Sequence, residues 1–268
     1  MKRWGQVFLQ DKKVALDIVT AASLTKNDRV IEIGPGRGVL TKLMATQVEQ
    51  LIAIEIDPRL VHELQLSLKP YPKVVIVHQD IMSYQLPAEL MTGPFKVTAN
   101  VPYYITSPII FQLLDWHLAN PQFCQAIIMV QKEVAQRLAA VPAGKEYGVI
   151  SIMLQFYADV QIIRLVPSSC FTPVPAVDSA VVKIDFLPQP REKVPSVDTF
   201  KKIVKASFAQ RRKTILNSLK HNYGLAAELL EQGLQEAGIE TGRRAETLSI
   251  AEFARLTEVI YEKQKNNS

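Results

Sequence analysis

Residues Asn100-Val101-Pro102-Tyr103-Tyr104 follow the apolar stretch Phe95-Lys96-Val97-Thr98-Ala99 and gather an amide, a rigid turn and two aromatic rings at the end of an expected strand. That set suits a flat, weakly nucleophilic NH2 group. The Asn100 side-chain oxygen and one backbone carbonyl, that of Val101 or Pro102, can accept its two N–H groups and favour a pyramidal nitrogen. Tyr103 offers an aromatic face for a base, a contact worth roughly 1–3 kcal/mol. A base held this way must be unpaired or flipped out. Upstream lies Gly34-Pro35-Gly36-Arg37-Gly38, whose glycines let a strand turn sharply and bring bare backbone to a ligand. Glu55 ends the next apolar segment, where an acid accepts from both hydroxyls of a ribose. Asp80 follows the one after, placed to accept from an adenine amino group. The third glycine of a dinucleotide fingerprint falls on Val39, which argues against NAD. The chemistry implied is methyl transfer from S-adenosylmethionine to an amino nitrogen, driven by alignment of nitrogen, methyl and sulfur. No strong base is required, because the methylated nitrogen sheds its proton afterwards.

The elements around these residues alternate. Val30–Ile33, Leu51–Glu55, Val74–Val77, the stretch before Asn100, and Ala126–Val130 read as short apolar strands. Val39–Met44 and Pro58–Leu68 have helical spacing, and Pro108 is expected at the first position of a helix capped by Thr106 or Ser107. Wholly apolar strands between helices predict an α/β domain with a mostly parallel sheet covered on both faces, over residues 1–187. Residues 188–196, rich in proline and charge, read as a linker. Residues 197–268 read as a small all-α domain with helices over Asp198–His221, Ala226–Ala237 and Ile250–Lys263.

The 268 residues carry a net charge of +5, ordinary for a soluble protein, but the charge is local. Nine Lys or Arg fall between Arg191 and His221, opposed by Glu192 and Asp198 alone. A helix crowding Arg211, Arg212 and Lys213 opposite Phe208, Ile215, Leu216 and Leu219 points to salt-sensitive phosphate contact, hence RNA. Such contacts position an enzyme without encoding sequence. Cys124 and Cys170 form no CxxC pair, and the four histidines are scattered, so neither a disulfide framework nor a metal is expected. The basic start has no apolar run behind it, and no stretch approaches the ~18 apolar residues of a membrane span. A cytoplasmic monomer is the expectation.

These motifs resemble the small-subunit ribosomal RNA adenine dimethyltransferases, the kasugamycin-resistance family. The resemblance runs from Gly5-Gln6-Val7-Phe8-Leu9 almost to the C-terminus. It includes Glu32-Ile33-Gly34-Pro35-Gly36, Asn100–Tyr104, Val130–Val134, Phe171–Ser179, Phe208–Thr214 and Arg243–Ser249. It implies a Rossmann-like class I methyltransferase fold and four methyl transfers onto two adjacent adenosines near the 3′ end of 16S rRNA, late in small-subunit biogenesis. It places donor contacts at Val7, Leu9, Gly34, Gly36, Glu55, Asp80 and Asn100. It gives catalytic roles to Asn100, Pro102, Tyr103 and Phe171, the last pairing with Tyr103 around the target adenine. One position departs: after Gly5-Gln6 the family usually has Asn or His, and here Val7 brings no polar side chain. The macrolide-resistance methyltransferases of large-subunit rRNA share the chemistry but fit the Phe171–Ser179 and Arg211–Lys213 segments less well. A ribosome-assembly role in which binding outweighs catalysis is a rival of another kind.

Overall fold

A computed structural model describes residues 7–87 and 93–266. The strands are β1 (Phe8–Leu9), β2 (Arg29–Ile33), β3 (Gln50–Glu55), β4 (Val74–His78), β5 (Phe95–Asn100), β6 (Phe123–Gln131), β7 (Ala158–Val166), β8 (Phe171–Thr172) and β9 (Ser179–Phe186). The helices are α1 (Lys12–Ala21), α2 (Val39–Met44), α3 (Pro58–Ser67), α4 (Thr106–Ala119), α5 (Lys132–Leu138), α6 (Val149–Gln155), α7 (Val197–Phe208), α8 (Ile215–Asn222), α9 (Ala227–Glu236) and α10 (Ile250–Asn266).

Two compact units emerge: Met1–Ala135 with Asp159–Pro188, and Gln136–Ala158 with Gln189–Ser268. In the first, seven strands run in the order β4-β3-β2-β5-β6-β9-β7. The five from β4 to β6 are parallel, and β9 returns antiparallel to β6. β2, β3, β5 and β6 are buried almost throughout, which explains their largely apolar sequences. β2 lies between β3 and β5, so the chain leaves β2 in one direction, reaches the β4 edge, and returns to the other side. That reversal opens a crevice at the carboxyl ends of the strands, where open α/β sheets bind ligands.

Local chemistry sets the elements that frame the crevice. Asp11 caps α1 by accepting from the Lys13 and Val14 N–H groups, and Asp57 caps α3 ahead of Pro58. β1 pairs antiparallel with β8, Leu9 opposite Phe171. β5 is fixed in register at its far end, where the Lys96 ammonium donates to Asp28 (3.1 Å) and to the Ala22 carbonyl (3.0 Å). α4 differs from the expectation. It starts at Thr106 after Ile105, so Pro108 is its third residue. Proline is tolerated there because N–H groups of the first turn have no partner inside the helix.

The second unit is helical, but its boundary differs from a single cut at residue 187, since residues 136–158 group with it. Phe156 stacks on Phe200 of α7 at 4.4 Å, and Tyr147 meets Phe208 edge-on at 6.4 Å. The proline-rich stretch is not a free tether either. Arg191 donates from its backbone to the Phe156 carbonyl and from its side chain to the Gln155 carbonyl, both at a 2.8–2.9 Å separation. The helix expected over Asp198–His221 is two, α7 and α8, broken at residues 209–214. Thr214 caps α8 by accepting from the Asn217 N–H, and Ile215, Leu216 and Leu219 are buried as their spacing requires. Arg211, Arg212 and Lys213 therefore occupy an exposed turn, not a helix face.

Candidate active site

Four parallel strands deliver their last residues to one edge of the sheet. β2 runs into the glycine loop, where Gly34, Gly36 and Gly38 have φ of +66°, +58° and +75°. Only glycine adopts these angles without strain. Gly36 is also crowded, since a Cβ there would lie 3.3 Å from Cδ1 of Phe8. β3 ends at Glu55, which is buried, and its carboxylate gathers three backbone donors. Gly36 N–H donates to Oε2 at 3.1 Å, and Ile56 and Asp57 N–H donate to Oε1 at 2.9 and 3.0 Å. Burial pushes its carboxyl above the ordinary range, and the three N–H groups oppose that shift. Asp80, two residues past β4, accepts the Met82 N–H at Oδ1 (2.9 Å) and so starts a tight turn at Ile81. Its second oxygen is left for another donor.

β5 ends at Asn100. Its amide nitrogen lies 3.5 Å from the Val7 carbonyl, a long contact that leaves the side-chain oxygen available. The Asn100 carbonyl lies beside Gly34, 3.5 Å from where a Cβ would stand. Of the two backbone carbonyls considered above, that of Pro102 is already engaged by the Ile105 N–H (3.2 Å) and the Thr106 hydroxyl (3.4 Å). The Val101 carbonyl is therefore the better acceptor for an incoming amine. Tyr103 is anchored by its hydroxyl, 2.8 Å from the buried Ser179 Oγ. Tyr104 beside it is 58% exposed.

Val7, Leu9, Gly34, Gly36, Glu55, Asp80, Asn100, Pro102 and Tyr103 all line one cavity of about 270 Å³. Phe171 is not among its lining residues. Its ring is 2% exposed and packs in the apolar cluster of Val14, Ile18, Met129 and Val181. In this conformation it braces β1 through its pairing with Leu9 and offers no face to a base. Arg211, Arg212 and Lys213 belong to the second unit, where Arg211 donates to the Lys145 carbonyl at 2.7 Å. Among the described residues no three His, Cys, Asp or Glu side chains cluster as metal ligands do, and no helix is long and apolar enough to cross a membrane.

Sequence reasoning gave no role to Glu32, Arg37 or Ser179. Ser179 had a signal, since it ends the Phe171–Ser179 stretch that carries the resemblance. Glu32 is 2% exposed, lines the cavity, and has no hydrogen-bond partner at Oε2. Its carboxyl is pushed up to about 8, first by burial and further by the charge of Glu55, with Thr41 partly offsetting both. Between the ordinary value of 4.5 and about 8, the folded protein holds a proton that the unfolded chain has released. Stability therefore falls as pH rises through that window. Glu32→Gln keeps the shape and cannot ionise. Its melting temperature is expected to gain on the wild type by several degrees between pH 5 and pH 8. Parallel loss in both proteins over that range would show that Glu32 is not the titrating group.

The family model described as ribosomal RNA adenine dimethylase matches residues 1–262. A Shouchella clausii protein named ribosomal RNA small subunit methyltransferase A is 44% identical over 267 residues, covering 97% of this chain and 89% of that one. A Geobacter sulfurreducens protein of the same name is 45% identical over 260 residues, covering 96% and 93%. Among solved structures, a dimethyladenosine transferase from Plasmodium falciparum superposes with a TM-score of 0.81 at 26% identity, covering 97% of this chain and 98% of that one. The 23S rRNA methyltransferase ErmE does so with a TM-score of 0.74 at 27% identity, covering 95% and 99%.

Proposed function

Since the chain belongs to the ribosomal RNA adenine dimethylase family, we propose that it dimethylates N6 of two adjacent adenosines near the 3′ end of small-subunit rRNA, using S-adenosylmethionine. The fold is the Rossmann-like class I methyltransferase fold. The observation that carries the reading is the convergence of Glu55, Asp80 and Asn100 on one cavity behind the glycine loop.

The residues fit the methyl donor. Glu55, held by three N–H groups, presents its remaining lone pair, on Oε2, to a ribose hydroxyl. The free oxygen of Asp80 accepts from the adenine amine. Gly34 and Gly36 let the backbone lie close, and the Asn100 carbonyl next to Gly34 accepts from the ammonium of the methionine part. The donor, when bound, supplies a methyl made electrophilic by its sulfonium. The protein's work is on the other reactant. Asn100 Oδ1 and the Val101 carbonyl accept the N6 protons, which aims the nitrogen lone pair inward. Tyr103, fixed by Ser179, supplies the stacking face. After the first transfer N6 has one N–H left, and for the second the pocket tolerates the first methyl where one hydrogen bond had been.

The exposed Arg211-Arg212-Lys213 turn supports phosphate contact by the helical unit, with 16S rRNA in the small subunit as the partner. Target choice then comes from RNA shape and the single-stranded loop. We assign the protein to the cytoplasm and take it to act as a monomer. The likeness to ErmE keeps large-subunit rRNA as a second substrate to exclude. The deciding experiment supplies labelled S-adenosylmethionine with small-subunit particles lacking these modifications, with 23S rRNA in parallel, and reads the RNA by mass spectrometry. Two N6,N6-dimethyladenosines near the 3′ end of 16S rRNA are expected. Label in 23S rRNA alone would reassign the substrate, and particle binding without transfer would favour a role in assembly.

A further inference from the structure

We propose that Arg37 binds the α-carboxylate of the methyl donor, a role that rests on the donor assignment above. The cavity lining carries three carboxyl groups, Glu32, Glu55 and Asp80, and one cationic side chain, Arg37. Glu55 and Asp80 match a ribose hydroxyl and an adenine amine, and the ammonium goes to the Asn100 carbonyl. A carboxylate entering the same space meets like charge unless a cation answers it.

The adenosine contacts fall to Glu55 and Asp80, at the ends of β3 and on from β4, and the reacting nitrogen falls to Asn100 on β5. Val7–Gln10 and Arg37 line the same cavity and hold none of these contacts. Val7 brings no polar side chain there. Arg37 lies over the ring of Phe8, with Cζ 4.8 Å from the ring centroid. A cation placed over a ring face is held there electrostatically, and a guanidinium carries N–H donors in the fork that matches a carboxylate. Phe8 is itself fixed, by the β1–β8 pairing and by its close packing on Gly36. The guanidinium is thus held ready by an aromatic ring, and among the described residues no carboxylate pairs with it.

The test is calorimetry on the full-length protein and its Arg37→Leu and Arg37→Lys variants. The ligands are S-adenosylmethionine and its decarboxylated analogue. Arg37→Leu is expected to weaken S-adenosylmethionine about 10- to 100-fold, the range for one charge-assisted pair, and to leave the decarboxylated analogue unchanged. Arg37→Lys should recover part of the loss. Equal weakening of both ligands would overturn the proposal and make Arg37 a support for the Phe8 wall. Unchanged donor binding with a raised KM for small-subunit particles would also overturn it, assigning the guanidinium to an RNA phosphate. A wild-type protein that binds neither ligand would instead overturn the donor reading itself.

Discussion

Asn100→Ala is expected to lower methyl transfer by about 10²–10³-fold while donor affinity stays within a few-fold of wild type. The expectation separates two parts of one residue. On the proposed reading the backbone carbonyl, which lies beside Gly34 and which alanine keeps, serves donor binding. On the same reading the side-chain oxygen accepts from the incoming amine. An exocyclic adenine nitrogen has its lone pair delocalised into the ring, so it attacks only when its N–H groups are drawn toward acceptors. With Asn100 Oδ1 gone, the Val101 carbonyl remains, because Pro102 already serves Ile105 and Thr106. One acceptor cannot set the nitrogen as two do. Asn100→Asp restores an acceptor and is expected to recover part of the rate, which a merely structural residue would not show. Single-turnover transfer and donor calorimetry on the same preparation decide the matter. Equal loss of binding and rate would mean that Asn100 builds the donor pocket and does not act on the amine. The same variant also separates catalysis from assembly. If binding to the immature particle has its own role, Asn100→Ala retains it.

Much of this site was legible because it depends on what each strand ends with. Parallel strands bring their last residues to one edge, so Gly34, Glu55, Asp80 and Asn100 could be placed together once each was assigned to a strand end. Contacts made by residues far apart in sequence were not legible. Phe171 stands in a motif that suggests an exposed role, yet an apolar ring opposite Leu9 gains more by packing among Val14, Ile18 and Val181. Residues 136–158 continue the apolar texture of the segments before them. Only the stacking of Phe156 on Phe200 and of Tyr147 against Phe208 shows which unit they join. The break between α7 and α8 was hidden for a related reason. Gln210–Lys213 contains no proline or glycine, and the stop is made by Thr214, whose hydroxyl caps the next helix.

Glu55→Gln is expected to weaken donor binding by about 10- to 100-fold, although it removes a charge and no volume. The ordinary argument from size predicts little, but the hydrogen bonds predict otherwise. Both oxygens of Glu55 are acceptors, one for Ile56 and Asp57 and the other for Gly36. A glutamine keeps one oxygen and replaces the other with an NH2 group. If the oxygen stays with Ile56 and Asp57, two donors face each other at Gly36, and the loop that carries Gly34 and Gly36 loses its tether. If the amide flips, two buried N–H groups lose their acceptor, at about 1–3 kcal/mol for each group left unsatisfied. Either way the proposed charged acceptor for the ribose is gone, because the lone pair assigned to its hydroxyl belonged to the carboxylate. A 2′-deoxyribose analogue of S-adenosylhomocysteine separates the two losses. Wild type should bind it more weakly than the parent compound, whereas Glu55→Gln should distinguish the two far less. If the variant keeps the full wild-type discrimination, the ribose is not held by Glu55, and its carboxylate serves only to pin the glycine loop.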